Sequence, residues 1–194
     1  MTTDAIAQQL GSSGLCICPN FLPLEPLQAV VGDLRSLLHN GQFKQAGIGR
    51  GPLHQHDGKV RNDNTYWLER DQQNQVQDIL WQRIDQLQLA FNRQLFLGLK
   101  EFEGHYAAYP EGGFYDRHLD CFRGDSGRVV SFVLYLNSDW QSGDGGQLRV
   151  YGADSHIDVD PIGGTLVCFL SQEAEHEVLV SHRPRLSLTG WFKR

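Results

Sequence analysis

Residues 109–121 read YPEGGFYDRHLDC and set His118 and Asp120 two positions apart. On an extended backbone, side chains at i and i+2 point to the same face. An imidazole and a carboxylate then converge while Leu119 turns away, and such a pair suits a divalent transition metal. The pair alone says little, because His156-Ile157-Asp158 repeats it and a solvated surface strand carries the same residues without function. The rest of the chain separates the two. His176 opens the apolar stretch HEVLV, and Arg185 follows nine residues after it, past the turn SHRP. A hairpin return across that turn sets the Arg185 guanidinium on the same side, deeper in a barrel. Two histidines and one carboxylate leave three positions open on Fe(II). A guanidinium grips a carboxylate at two points, which a lysine cannot. His118, Asp120, His176 and Arg185 are therefore the candidate chemical set. His176 follows Asp158 too closely for several intervening strands, so the second His-x-Asp reads as ordinary strand residues.

Bringing these side chains together requires a β-barrel, and the sequence after residue 100 has the texture of one. Short apolar runs (EGHYAAY, VVSFVLYLN, GQLRVY, HIDVD, TLVCFL, EVLV, RLSLTGWF) alternate with Gly, Asp, Asn and Ser turns. That spacing predicts a mainly β fold with a jelly-roll core of roughly eight strands. Before it, Leu24, Leu27, Val31, Leu34 and Leu38 fall at helical spacing, as do Val76, Leu80, Ile84, Leu87, Phe91 and Leu95. Between these two helices lies a polar, glycine-bearing stretch, read as a mobile loop between two short strands. The chain is read as one domain over residues 1–194, with helical support and loop in 1–100 and the jelly roll in 101–194. No apolar run is long enough to span a membrane, and the N-terminus lacks the pattern of a secretory signal. Four scattered cysteines argue against a disulfide framework and for a reducing cytoplasm. A net charge of −6 without a basic cluster argues against nucleic acid as partner. Cys16-x-Cys18 with His54-x-His56 matches no structural zinc spacing.

The pattern His118-x-Asp120, His176, Arg185 resembles the Fe(II)- and 2-oxoglutarate-dependent dioxygenases, whose core is a double-stranded β-helix. Further strings are similar to the prolyl 4-hydroxylases of the hypoxia-inducible-factor type and their bacterial relatives: YLNSDW (135–140), GGQLRVY (145–151), the Trp191-Phe192 pair and, upstream, RNDNTYWLE (61–69). The resemblance runs over residues 43–193. It implies Fe(II) on His118, Asp120 and His176, and the distal carboxylate of 2-oxoglutarate on Arg185, with Tyr135 bonded to the same group and Tyr109 close by. It also implies a substrate wall of Tyr115 and Trp191, and a lid over residues 43–69 that grips an extended peptide through Arg61 and Trp67. Asp63 and Arg128 match a charged pair that tethers this lid. The segment CFRGDSG before Arg128 is one residue longer than in the animal enzymes. The implied reaction consumes O2 and 2-oxoglutarate, releases succinate and CO2, and hydroxylates C4 of a prolyl residue in a translation- or transcription-related protein, with ascorbate as reductant. Two other readings stand beside it: an oxygenase acting on a free amino acid or another side chain, and a jelly-roll binding module without activity. A binding module has no need of Arg185 and an intact ligand set.

Overall fold

A computed structural model describes residues 1–47, 57–70, 74–121 and 127–194. It begins with a helix that the apolar spacing does not announce, α1 (Thr3–Ser13). The Thr2 hydroxyl accepts the Ala5 N–H at 3.2 Å, and Gly14, at φ 70°, closes the helix with a bond to the Leu10 carbonyl. Hydroxyl N-caps and left-handed glycines are the usual helix ends. α2 (Leu24–His39) and α3 (Gln75–Leu95) lie where the periodicity sets them. Asn74 caps α3, its Oδ1 accepting from Val76 and Gln77 at 3.0 and 3.3 Å.

The strands are β1 (Leu15–Cys18), β2 (Lys44–Gln45), β3 (Asn64–Trp67), β4 (Glu101–Tyr109), β5 (Tyr115–His118), β6 (Arg128–Tyr135), β7 (Leu148–Tyr151), β8 (His156–Val159), β9 (Leu166–Leu170), β10 (His176–Val178) and β11 (Arg185–Lys193). They form a seven-stranded sheet, ordered β1-β9-β6-β11-β4-β3-β2, and a four-stranded sheet, ordered β5-β10-β7-β8. The strands β9, β6, β11 and β4 face the four of the smaller sheet and make the expected jelly-roll core. β1, β2 and β3 widen the larger sheet beyond it.

Period-two alternation decides what each strand shows to each side. On β6, Val130, Phe132 and Leu134 join Leu80, Ile84 and Phe91 of α3 in a core between sheet and helices. Val133 and Tyr135 point the other way and pack with Val150, Val167, Phe169 and Val178 between the sheets. β11 divides likewise. Leu188 and Phe192 belong to the helix-side core, whereas Arg185, Thr189 and Trp191 face a cavity between the sheets. Gly190 stands opposite Gly104 of β4, and the Phe102 ring lies across both, leaving no room for a Cβ on either. No helix among the described residues is long and apolar enough to cross a membrane.

Candidate active site

The cavity measures about 1300 Å³. His118 ends β5, His176 begins β10, and the two are register partners across the smaller sheet. Asp120 lies not on the strand, as the alternation argument assumed, but in the bend just after it. The bend still turns its carboxylate inward. Oδ1 lies 3.7 Å from His118 Nε2 and Oδ2 lies 3.6 Å from His176 Nε2. Among the described residues this is the one group of three His, Cys, Asp or Glu side chains whose ligand atoms all lie within 4.8 Å of one another.

Each member is held by its own partner. His118 Nδ1 meets the Asp116 carbonyl at 2.7 Å and His176 Nδ1 meets the Ala174 carbonyl at 3.0 Å. Those carbonyls fix the proton on Nδ1 and leave the Nε2 lone pairs facing inward, the orientation that metal-binding histidines take. Tyr115 stacks on the His118 ring at 3.7 Å. The Asp120 Oδ2 accepts from the Ser131 hydroxyl at 2.7 Å, and Ser131 is in turn within 2.9 Å of the Ser171 hydroxyl. Burial alone would raise the Asp120 carboxyl, but His176, His118 and Ser131 hold it well below the usual carboxylate range. Burial lowers the His176 imidazole against the pull of Asp120. One carboxylate and two imidazoles whose Nε2 atoms face inward are a suitable donor set for a divalent ion.

Arg185 closes the inner end of the cavity. It is 1% exposed, and its Nε donates to the Gly146 carbonyl at 2.9 Å. The guanidinium lies 5.1 Å from the Tyr109 ring and 5.2 Å from the Tyr135 ring. Among the described residues no carboxylate pairs with it. The Tyr135 hydroxyl is enclosed without a hydrogen-bond partner. Burial pushes it up to about 12 even though Arg185 stands close enough to pull the other way. A buried cation without an acid, next to a buried hydroxyl without a partner, is a receptor for a carboxylate. The donor sets therefore fit both an Fe(II) ion and a dicarboxylic cosubstrate.

The structure brings His118, Asp120, His176, Arg185, Tyr109, Tyr115, Trp191, Arg128, Arg61 and Trp67 to the cavity wall. Tyr135 stands behind Arg185, and Asp63 behind Arg61. The expected ion pair between Asp63 and Arg128 is not formed. Asp63, fully buried, takes Arg61 at two points, 2.7 and 2.5 Å, and Arg61 lies over the Tyr115 ring at 4.3 Å. Arg128 is bound to Glu103 at 2.9 Å and lies over the Trp191 ring at 3.4 Å. Arg61 is two residues from Asp63 on the same stretch, whereas Arg128, on β6, shares its row across β11 with Glu101 and reaches diagonally to Glu103. Removing one partner of a buried pair leaves the other charge uncompensated, typically about 3–5 kcal/mol. Asp63→Ala is accordingly expected to lower the urea midpoint sharply, and Asp63→Ala with Arg61→Met to recover most of it. The second His-x-Asp lies on β8, where Arg149 takes Asp158 at 2.8 Å through both Nε and Nη2. His54 and His56, residues 48–56 of the expected lid, and residues 122–126 of the lengthened segment lie outside the described residues.

Two residues escaped the sequence reading. Ser131 could be found from parity alone, as the inward β6 residue before Val133. His105 sits on the inward face of β4 with Tyr109. It is 3% exposed, and its Nδ1 has no partner among the described residues. Burial first, then Arg61 and Arg128, push it down to about 4, against Asp63 and Asp120. The unfolded chain takes up this proton near pH 6.5 and the folded chain only near 4, so the folded state loses stability as pH falls through that window. The limit is about 3 kcal/mol at 1.36 kcal/mol per pH unit, and His176, also lowered, acts in the same direction. Urea midpoints of the metal-free protein should fall between pH 6.5 and 4, and His105→Gln should flatten the slope.

Residues 104–193 match the profile of the 2OG-Fe(II) oxygenase superfamily. Over its whole length the chain superposes on the crystal structure of a Pseudomonas putida prolyl-4-hydroxylase with a TM-score of 0.91, at 43% identity and 99% coverage of that chain. A prolyl hydroxylase from Trichoplax adhaerens, in complex with a hypoxia-inducible-factor oxygen-degradation-domain peptide fragment, gives a TM-score of 0.88 at 29% identity, covering 98% of this chain and 88% of that one. Egl nine homolog 1 of Homo sapiens is 28% identical over 204 residues, spanning 99% of this chain and 46% of that protein. The chain spans about half the length of the curated relatives it matches. It belongs to the 2OG-Fe(II) oxygenase superfamily.

Proposed function

We propose that this protein is a prolyl 4-hydroxylase acting on a polypeptide, with His118, Asp120 and His176 as ligands of Fe(II) and Arg185 as the anchor of 2-oxoglutarate. The observation that carries the reading is Arg185, buried and acid-free in the cavity that the three donors line. The full-length similarity to a prolyl-4-hydroxylase supports the choice of substrate. Bound iron supplies O2 activation and oxidation of the C–H bond while the cosubstrate is converted to succinate and CO2. The chain's own part is placement. Asp120 keeps its charge through Ser131, and the two imidazoles keep their Nε2 lone pairs inward through the Asp116 and Ala174 carbonyls. Arg185 with Tyr135 and Tyr109 orients the distal carboxylate. Tyr115 and Trp191 form the wall on which the prolyl ring rests, and half-exposed Trp67, with Arg61 and Arg128, receives the flanking peptide. Four free cysteines support a reducing compartment, the cytoplasm. Ascorbate as reductant, and a translation- or transcription-related protein as target, complete the proposal.

The test is incubation of a pool of short peptides, randomised around a central proline, with enzyme, Fe(II), 2-oxoglutarate and ¹⁸O₂. The expected result is a gain of one labelled oxygen, recovered as 4-hydroxyproline after hydrolysis. Label found on another residue type, or on free amino acids added in competition, would replace the prolyl reading by the broader oxygenase one.

A further inference from the structure

His105 is the inward residue of β4 to which the reaction above gives no role. Its register partners are Trp67 on β3 and Thr189 on β11. The imidazole makes a triangle with two indoles, 4.8 Å from the Trp67 ring and 5.6 Å from the Trp191 ring, and the two indoles are themselves 6.3 Å apart. Arg128 covers Trp191 at 3.4 Å and approaches the Asp120 carbonyl with Nη1, also at 3.4 Å. The Arg128 guanidinium thus rests on a three-ring cluster of Trp191, His105 and Trp67, and together they reach from the bend that carries Asp120 to the rim at Trp67.

The state of His105 follows from its surroundings. The enclosed Nδ1 has no partner. A buried N–H without an acceptor is the rarer and costlier defect, more so than a lone pair without a donor. The proton therefore belongs on Nε2, and Nε2–H is the polar group the ring can offer to the cavity it lines. Burial first, and then the nearby guanidiniums of Arg61 and Arg128, disfavour a second proton. His105 is a neutral donor in contact with two aromatic rings.

We propose that His105 is a specificity-determining residue that donates a hydrogen bond from Nε2 to a main-chain carbonyl of the bound peptide, beside the target proline. The inference rests on the prolyl-hydroxylase reading. Proline has no N–H, so a peptide centred on it offers more acceptors than donors. A neutral donor suits that excess. A carboxylate would instead be drawn to Arg185, which carries the charge that His105 lacks. Trp67 and Trp191, both in ring contact with the imidazole, suit an apolar ring held next to the bonded carbonyl.

His105→Phe keeps the aromatic wall and removes the donor, whereas His105→Gln keeps a donor and gives up the ring. With the proline-centred peptide pool as probe, His105→Phe should lower kcat/KM roughly tenfold, chiefly through KM, which corresponds to about 1.4 kcal/mol. His105→Gln should recover part of that loss. In both variants the rise in Tm on adding Mn(II) with 2-oxoglutarate should persist, because the metal and cosubstrate groups are elsewhere. A wild-type peptide KM in His105→Phe overturns the inference. So does loss of the thermal shift in both variants, which would assign His105 to the architecture of the site. Failure of the wild-type enzyme to oxidise the pool is a separate result: it overturns the prolyl reading and this inference with it.

Discussion

Asp120→Ala is expected to bring succinate formation down to the no-enzyme background while the metal-free protein keeps a cooperative melt. The substitution removes a buried anion whose neighbours need it little for folding: Ser131 retains Ser171 at 2.9 Å, and His176 retains the Ala174 carbonyl at 3.0 Å. What it removes is the one charge in the donor set. A metal that binds only the folded state at a hundredfold excess over its Kd stabilises that state by about 2.7 kcal/mol. In a protein of this size that is a rise in Tm of roughly 5–10 °C. Mn(II) should produce that rise in the wild type and none in the variant. His118→Ala and His176→Ala should behave alike. Succinate formation near the wild-type rate in any of the three would place the iron elsewhere.

The second large effect is expected at Arg185. Lysine there keeps a charge but loses the planar, two-point contact. A hydrogen bond to a charged group contributes about 1.5–3 kcal/mol, so the KM for 2-oxoglutarate should rise roughly ten- to a hundredfold in Arg185→Lys. Arg185→Met separates binding from folding. In the ligand-free protein the guanidinium is offset by one backbone carbonyl and two aromatic faces, without an acid. Replacing such a buried charge by an apolar side chain of similar size is often neutral or stabilising. Arg185→Met should therefore match or exceed the wild-type Tm without ligand, yet show no further rise on adding 2-oxoglutarate to the Mn(II) form. An unchanged KM in Arg185→Lys would mean that the carboxylate binds another cation.

The chemistry was more legible in the sequence than the scaffold, and for a physical reason. A ligand set must be built from few residue types, so His118, Asp120, His176 and Arg185 stand out by type and spacing. α2 and α3 stand out because long apolar stripes are costly to leave exposed. α1 buries just Ile6, Ala7 and Leu10, too few to mark a period, and its clearest signals are the caps Thr2 and Gly14. The partner of Asp63 differs from the expected Arg128 because a local guanidinium, Arg61 two residues away, takes the carboxylate, and Arg128 is taken by Glu103. His105 passed unnoticed because in EGHYAAY it looks like a polar interruption of a strand. Only the parity shared with Tyr109 marks it as interior.

The division of β11 between two cores has a consequence for how such a protein can change over time. Leu188 and Phe192 answer to the helices, and Arg185, Thr189 and Trp191 to the cavity, although they alternate along one strand. Substitutions at alternate positions are therefore tried under different criteria, cellular abundance on one side and turnover on the other. With Arg185 held for the cosubstrate, a lineage can exchange Thr189 and Trp191, and with them its choice of target, without disturbing the layer that keeps the chain folded. The same strand is conservative scaffold and variable tool at once, with the two roles separated by the pleat.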